Sequence, residues 1–168
     1  IIYYDVCFRN INTSVSVNVA TALAMMGYRV LFIDADTQGS GSSTFGIDVA
    51  TLPVQHVGNF LVRSNDKPDA DLQEALFRVY ENGPLDVLAA DITLAESDSA
   101  LVASMGAYQR AELFLKRNAK FLNQTYDVIV VDTAPGTTPI GVAFTFAAKA
   151  NGRVLTVIEA EWSCIRAL

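Results

Sequence analysis

Asp127-Val128-Ile129-Val130-Val131-Asp132 is the stretch that decides the fold. Four β-branched apolar residues stand in a row and an acid closes them. A run without a polar face fits a strand covered on both sides, as in a parallel sheet. Arg29-Val30-Leu31-Phe32-Ile33-Asp34 repeats the pattern, terminal aspartate included.

Working outward, the chain alternates strand and helix signals. Residues 1–8 read as a strand. An apolar helical stretch runs from about Thr13 to Met26, and Gly27 closes it. After the 29–34 strand, residues 35–48 are rich in Gly, Ser and Thr and read as largely loop. Residues 50–69 are ambiguous, with room for a short helix near 57–62. Residues 70–80 look helical, and Glu81-Asn82-Gly83-Pro84 is a turn. A short strand follows at 85–88. Thr93-Leu94-Ala95-Glu96 has the pattern of a capping box and opens a helix that breaks at Gly106 and ends near Leu122. Beyond the 127–132 strand come a turn over 133–139, a helix at about 142–148 and a last strand at 153–158. The fold class is α/β, with a doubly wound, mostly parallel sheet.

Composition supports one domain of this kind. The chain has 168 residues, of which 51% are hydrophobic and 18% charged. The charged share is below the soluble average of about 25%, which suits a sheet buried on both faces. The net charge of −6 argues against a free-standing nucleic-acid binder. The densest basic group, Arg110, Lys116, Arg117 and Lys120, reads as a solvated helix face. Cys7 and Cys164 are far apart and His56 has no metal-type neighbour in sequence, so the cysteines read as reduced and buried, in a cytoplasmic protein. No apolar run reaches the ~18 residues of a membrane span. The chain reads as 1–168, a single nucleotide-binding-type domain and a fragment lacking its C-terminal part.

The chemistry gathers at strand ends. Ligands of open α/β sheets sit beyond the carboxyl ends of the strands. Asp34 and Asp132 should therefore face one crevice, with Asp36 in reach of it. Three carboxylates there suit a hard cation such as Mg²⁺. The helix starting near Thr13 directs free N–H groups at the same place, and Thr13 and Ser14 add hydroxyls. Strand, loop, Thr at the helix start and a distant strand ending in Asp form the geometry of a nucleotide triphosphatase.

Two segments carry a family resemblance. Val17-Asn18-Val19-Ala20-Thr21-Ala22-Leu23-Ala24 followed by Asp34-Ala35-Asp36-Thr37-Gln38-Gly39 resembles the N-L-A helix and DxDPQG turn of the ParA/MinD/Soj family of deviant Walker ATPases, with Thr37 in place of Pro. Tyr126-Asp127-Val128-Ile129-Val130-Val131-Asp132-Thr133-Ala134-Pro135 resembles that family's Walker B strand and DTAP turn. The resemblance covers about residues 12–168. It implies a fold of P-loop NTPase type and ATP-dependent partitioning of plasmid or chromosome DNA. ATP and Mg²⁺ are the implied cofactors, with a homodimer, a partition partner protein and, in the full-length protein, non-specific DNA as partners; no membrane is implied. It assigns Mg²⁺ to Thr13 and Asp132, the attacking water to Asp34 or Asp36, and nucleotide contacts to Asn12, Thr13, Ser14 and Gln38.

One segment departs from the family. Its KGGxGKT loop should fall on Cys7-Phe8-Arg9-Asn10-Ile11-Asn12-Thr13, where Thr13 alone matches. Cys7 and Asn12 replace the lysines and the glycines are gone. Glycines let backbone N–H groups wrap phosphates, and the lysine carries charge to them. Three explanations stay open: a misread or frameshifted start to an ordinary ATPase, a pseudo-ATPase that keeps the fold, or an unusual loop that binds nucleotide weakly.

Each named residue also has a plainer role available. The aspartates can cap strand ends or turns. Thr13 can serve as an N-cap. Asn18 and Gln38 can be local hydrogen-bonders, and Phe8 and Trp162 read as packing residues. Gly39-Ser40-Gly41 after a strand lacks the third glycine of a dinucleotide fingerprint and is set aside as one.

Overall fold

The computed structural model describes residues 2–5, 12–50, 54–81, 83–104 and 106–155, with only the backbone at 2–5, 12, 150 and 151. Six strands form one sheet: β1 (Ile2–Asp5), β2 (Val30–Ala35), β3 (Leu76–Arg78), β4 (Leu85–Leu88), β5 (Val128–Thr133) and β6 (Gly152–Leu155), in the order β3-β4-β2-β5-β1-β6. All neighbours pair in parallel except β3 with β4, the antiparallel edge.

The helices are α1 (Asn12–Met25), α2 (Ser40–Thr44), α3 (Val57–Leu61), α4 (Leu94–Val102), α5 (Arg110–Arg117), α6 (Ala119–Thr125) and α7 (Pro139–Asn151). Strand alternation sends Val30, Phe32, Val128 and Val130 to one face, under Val17, Ala20 and Ala24 of α1. Leu31, Ile33 and Val131 go to the other, under α3, α4, α5 and α7, where Phe60, Phe114 and Phe144 are fully buried. The β1-to-β2 and β5-to-β6 connections run in opposite directions with their helices on opposite faces, as a shared handedness requires. The winding direction therefore switches beside β1 and β5, and a ligand crevice is expected there.

The strands at 29–34, 85–88 and 127–132 and the helix near 57–62 lie where the sequence puts them. Other elements differ. Residues 70–75 are turns and Leu76–Arg78 is a strand, against the expected helix over 70–80. Tertiary pairing overrides the local pattern: Arg78 Nε donates to Asp86 Oδ1 of β4 at 2.9 Å. The segment read as loop contains α2. α7 starts at Pro139, because Pro suits the first helical position and Thr138 caps it, accepting the Gly141 N–H at 3.2 Å. α4 opens as expected but without a capping box; the Thr93 hydroxyl donates to Asp91 instead.

The basic group is only in part a solvated face. The Arg117 side chain is only 3% exposed and pairs with Asp69 at 2.8 Å. Arg110 donates to the Arg63 carbonyl. Lys116 is exposed beside Glu112. His56 is buried, with Nε2 3.0 Å from Thr93 Oγ1, and burial holds it below the ordinary histidine range. Cys7, Phe8, Trp162 and Cys164 lie outside the described residues.

Candidate functional site

Register brings the acids together. Asp34 on β2 and Asp5 on β1 are both Cα partners of Asp132 on β5. Strand neighbours lie about 4.8 Å apart, and side chains in register share a face. Asp34 continues the alternation of Val30 and Phe32, and Asp132 that of Val128 and Val130. Both therefore lie on the face that α1 covers, at the carboxyl ends of their strands.

α1 reaches the same point. Ser16 Oγ donates to Asp132 Oδ1 at 3.1 Å, with both side chains buried. Thr13 lies three residues earlier, on the same side of the helix as Ser16 and one turn nearer its start. It is half-buried. Ser14 is exposed, and its carbonyl accepts the Asn18 side-chain amide at 2.7 Å. Asn12 is the first residue of α1. Ser16 is thus the α1 residue seen bonded to Asp132, while Ser14 is exposed.

Asp34 is held differently. Its Oδ2 accepts both the backbone N–H and the hydroxyl of Ser42, each at 2.7 Å, and Oδ1 accepts the Asp36 N–H at 3.2 Å. Complete burial pushes this carboxyl up to about 6 despite those donors, and the nearby Asp36 charge adds to the rise. Asp36 is also buried; its Oδ1 accepts the Gln38 N–H at 2.9 Å, and Gln38 itself is exposed.

The glycines of this turn are steric. Gly39 sits at φ 59°, and a Cβ there would lie 2.6 Å from the Ala90 carbonyl oxygen. A Cβ on Gly41 would lie 2.8 Å from the Phe32 ring.

The expected trio of carboxylates around a cation is not formed. Among the described residues, no group of three His, Cys, Asp or Glu side chains is placed to hold a metal ion. Ser42 draws Asp34 into the β2–α2 turn, and Asp36 is engaged with Gln38. The Thr13 hydroxyl and the Asp132 carboxylate are oxygen donors of the kind that suits Mg²⁺. The loop positions Cys7, Arg9, Asn10 and Ile11 lie outside the described residues.

Sequence reasoning missed Ser16 and Ser42. Ser16 was findable, one turn after Thr13 on the same helix side. Nothing in the sequence marks Ser42, because its link to Asp34 depends on how the intervening turn folds.

Comparison with known proteins supports the fold class. The family model described as "AAA domain" matches residues 11–164. The chain is 33% identical over 157 residues to the sporulation initiation inhibitor protein Soj of Bacillus subtilis, covering 93% of this chain and 56% of Soj. It therefore spans little more than half of that relative. Among solved structures, cobyrinic acid a,c-diamide synthase from Mycobacterium smegmatis, bound to an ATP analog and magnesium, superposes with a TM-score of 0.72 at 25% identity, covering 92% of this chain and 57% of the synthase. Apo McdA from Cyanothece shares the fold, with a TM-score of 0.78 at 18% identity over 98% of this chain and 60% of McdA.

Proposed function

This chain belongs to the ParA/MinD/Soj family of P-loop ATPases, and from that premise we propose that it is the nucleotide-binding domain of a partition-type ATPase. The observation that carries the proposal is the level pairing of Asp34 with Asp132, together with the Ser16 bond that draws the start of α1 onto Asp132.

The residues divide the work. Thr13 and Asp132 would hold Mg²⁺ through oxygen. The N–H groups at Asn12, Thr13 and Ser14 face the phosphates at the positive end of α1, and Gln38 lies at the rim. Mg²⁺, when bound, offsets charge on the phosphate oxygens. Asp34 or Asp36 orients the attacking water; at neutral pH Asp34, at about 6, is mostly ionised and able to accept a proton.

The wider assembly follows the same reading: a cytoplasmic homodimer that meets a partition partner and, in the full-length protein, non-specific DNA, without a membrane. Among the described residues no helix is long and apolar enough to cross a membrane.

A second reading rests on one sequence observation. Cys7 and Asn12 stand where the family has lysines, so a catalytically inactive module that dimerises or binds a partner is the alternative. Calorimetric titration with Mg²⁺-ATP, followed by a phosphate-release assay, separates the two. Binding with turnover supports the ATPase. Binding without turnover favours the inactive module, and no binding overturns the ATPase reading. Codons for Lys-Gly-Gly in a neighbouring upstream frame would mark the divergent loop as a frameshift.

A further inference from the structure

We propose that Ser42 is the positioning residue of this site: its hydroxyl fixes the Asp34 carboxylate and ties it to the backbone that follows β4. The inference rests on the ATPase reading only for its catalytic consequence.

Ser42 lies in α2 and is fully buried. Its Oγ is 2.7 Å from Asp34 Oδ2 and accepts the Ala90 N–H at 3.0 Å. The directions are forced. A backbone N–H can only donate, so Oγ accepts from Ala90; an ionised Asp34 can only accept, so the hydroxyl gives it its single hydrogen. Asp34 Oδ2 then receives two hydrogens, one from the Ser42 hydroxyl and one from the Ser42 N–H. Oδ1 has the single, longer Asp36 contact at 3.2 Å and is the less firmly held oxygen.

Ala90 is held to α2 through its N–H and leaves no room for a side chain at Gly39. Its N–H meets Ser42, and its carbonyl oxygen lies where a Cβ on Gly39 would be 2.6 Å away. Movement of the chain after β4 therefore reaches Asp34 through one hydroxyl. A serine that merely filled a helix start would need neither contact.

The test uses Ser42→Ala and Ser42→Thr in the full chain. Ser42→Ala should lower kcat for ATP at least about tenfold, the loss expected for one charge-assisted hydrogen bond, with KM within about twofold. Ser42→Thr keeps the hydroxyl and should restore kcat to within about threefold. An unchanged kcat in Ser42→Ala, or a folded Ser42→Thr as impaired as Ser42→Ala, overturns the proposal. If the wild-type chain does not turn over ATP, the ATPase reading falls but the bridge is still tested. The Asp34 carboxyl ¹³C and Ala90 amide resonances should then both shift in Ser42→Ala and return in Ser42→Thr; wild-type positions in Ser42→Ala overturn the proposal. If Ser42→Ala does not fold, the wild-type protein decides. A slowly exchanging Ser42 hydroxyl proton supports the bridge, and a freely exchanging one rejects it.

Discussion

Asp34 and Asp132 stand level with each other on adjacent parallel strands, both buried, and each accepts a serine hydroxyl, from Ser42 and Ser16 respectively. Burial disfavours the charge of Asp34, and the nearby Asp36 charge adds to that. A fold that kept Asp34 for stability alone would do better with a neutral residue there, so the arrangement is read as a site.

The cost at Asp34 is measurable. Its folded value of about 6 exceeds the ordinary 3.8. The folded protein therefore binds this proton more tightly than the unfolded chain does. The Asp34 contribution is most favourable below about pH 4, is lost as pH rises to about 6, and is flat above that. Asp34→Asn should raise stability at pH 7.5, by at most on the order of 3 kcal/mol, and gain less at pH 4.5. Urea unfolding at the two pH values checks this. A destabilised variant at pH 7.5 contradicts it.

Asp69 is the hub of a second polar cluster. It accepts from Arg63 at 2.9 Å, Arg117 at 2.8 Å and the Asn118 side-chain amide at 2.7 Å, with its own side chain 1% exposed. Asp69→Ala strands a buried guanidinium and should cost about 3–5 kcal/mol. Lys116→Ala, which breaks only the exposed pair with Glu112, should cost about 0.5 kcal/mol or less. Equal losses in urea unfolding would refute the distinction.

Gly41 ties the turn to the core. The Cβ of Gly41→Ala would press on the Phe32 ring and lie 3.1 Å from Asp34 Oδ2. The expected loss is about 1–3 kcal/mol by thermal unfolding, with the Asp34 carboxyl resonance displaced. An unchanged melting temperature and resonance would show that the turn has room to spare.

What the sequence revealed follows from physics. The apolar runs at 29–34 and 127–132 were legible because a strand buried on both faces leaves no polar residues to confuse the period. Their terminal aspartates were legible for the same reason, as the first polar residues after such a run. Leu76–Arg78 was not, because an edge strand of three residues depends on the partner beside it, and Arg78 finds its partner in Asp86. The start of α7 was missed because Pro139 opens helices as readily as it makes turns. Arg117 looked like surface charge, since only the fold brings Asp69 to it. The site shows the same division: Asp34, Asp132 and Thr13 were marked by their places at element ends, whereas Ser42 depends on a turn whose path is set by packing against Ala90.

In the proposed site Thr13 and Asp132 would hold the metal at the phosphates, with Asp34 level with Asp132 on the neighbouring strand. Paramagnetic relaxation tests this arrangement directly, with Mn²⁺-ATP substituted for Mg²⁺-ATP and amide resonances followed across the chain. Joint broadening is expected at Thr13, Ser16, Asp34 and Asp132, absent without nucleotide and abolished by Asp132→Ala, while Tyr80 and Lys149 stay sharp. Broadening centred elsewhere, or at Asp132 with Thr13 and Asp34 untouched, would contradict it.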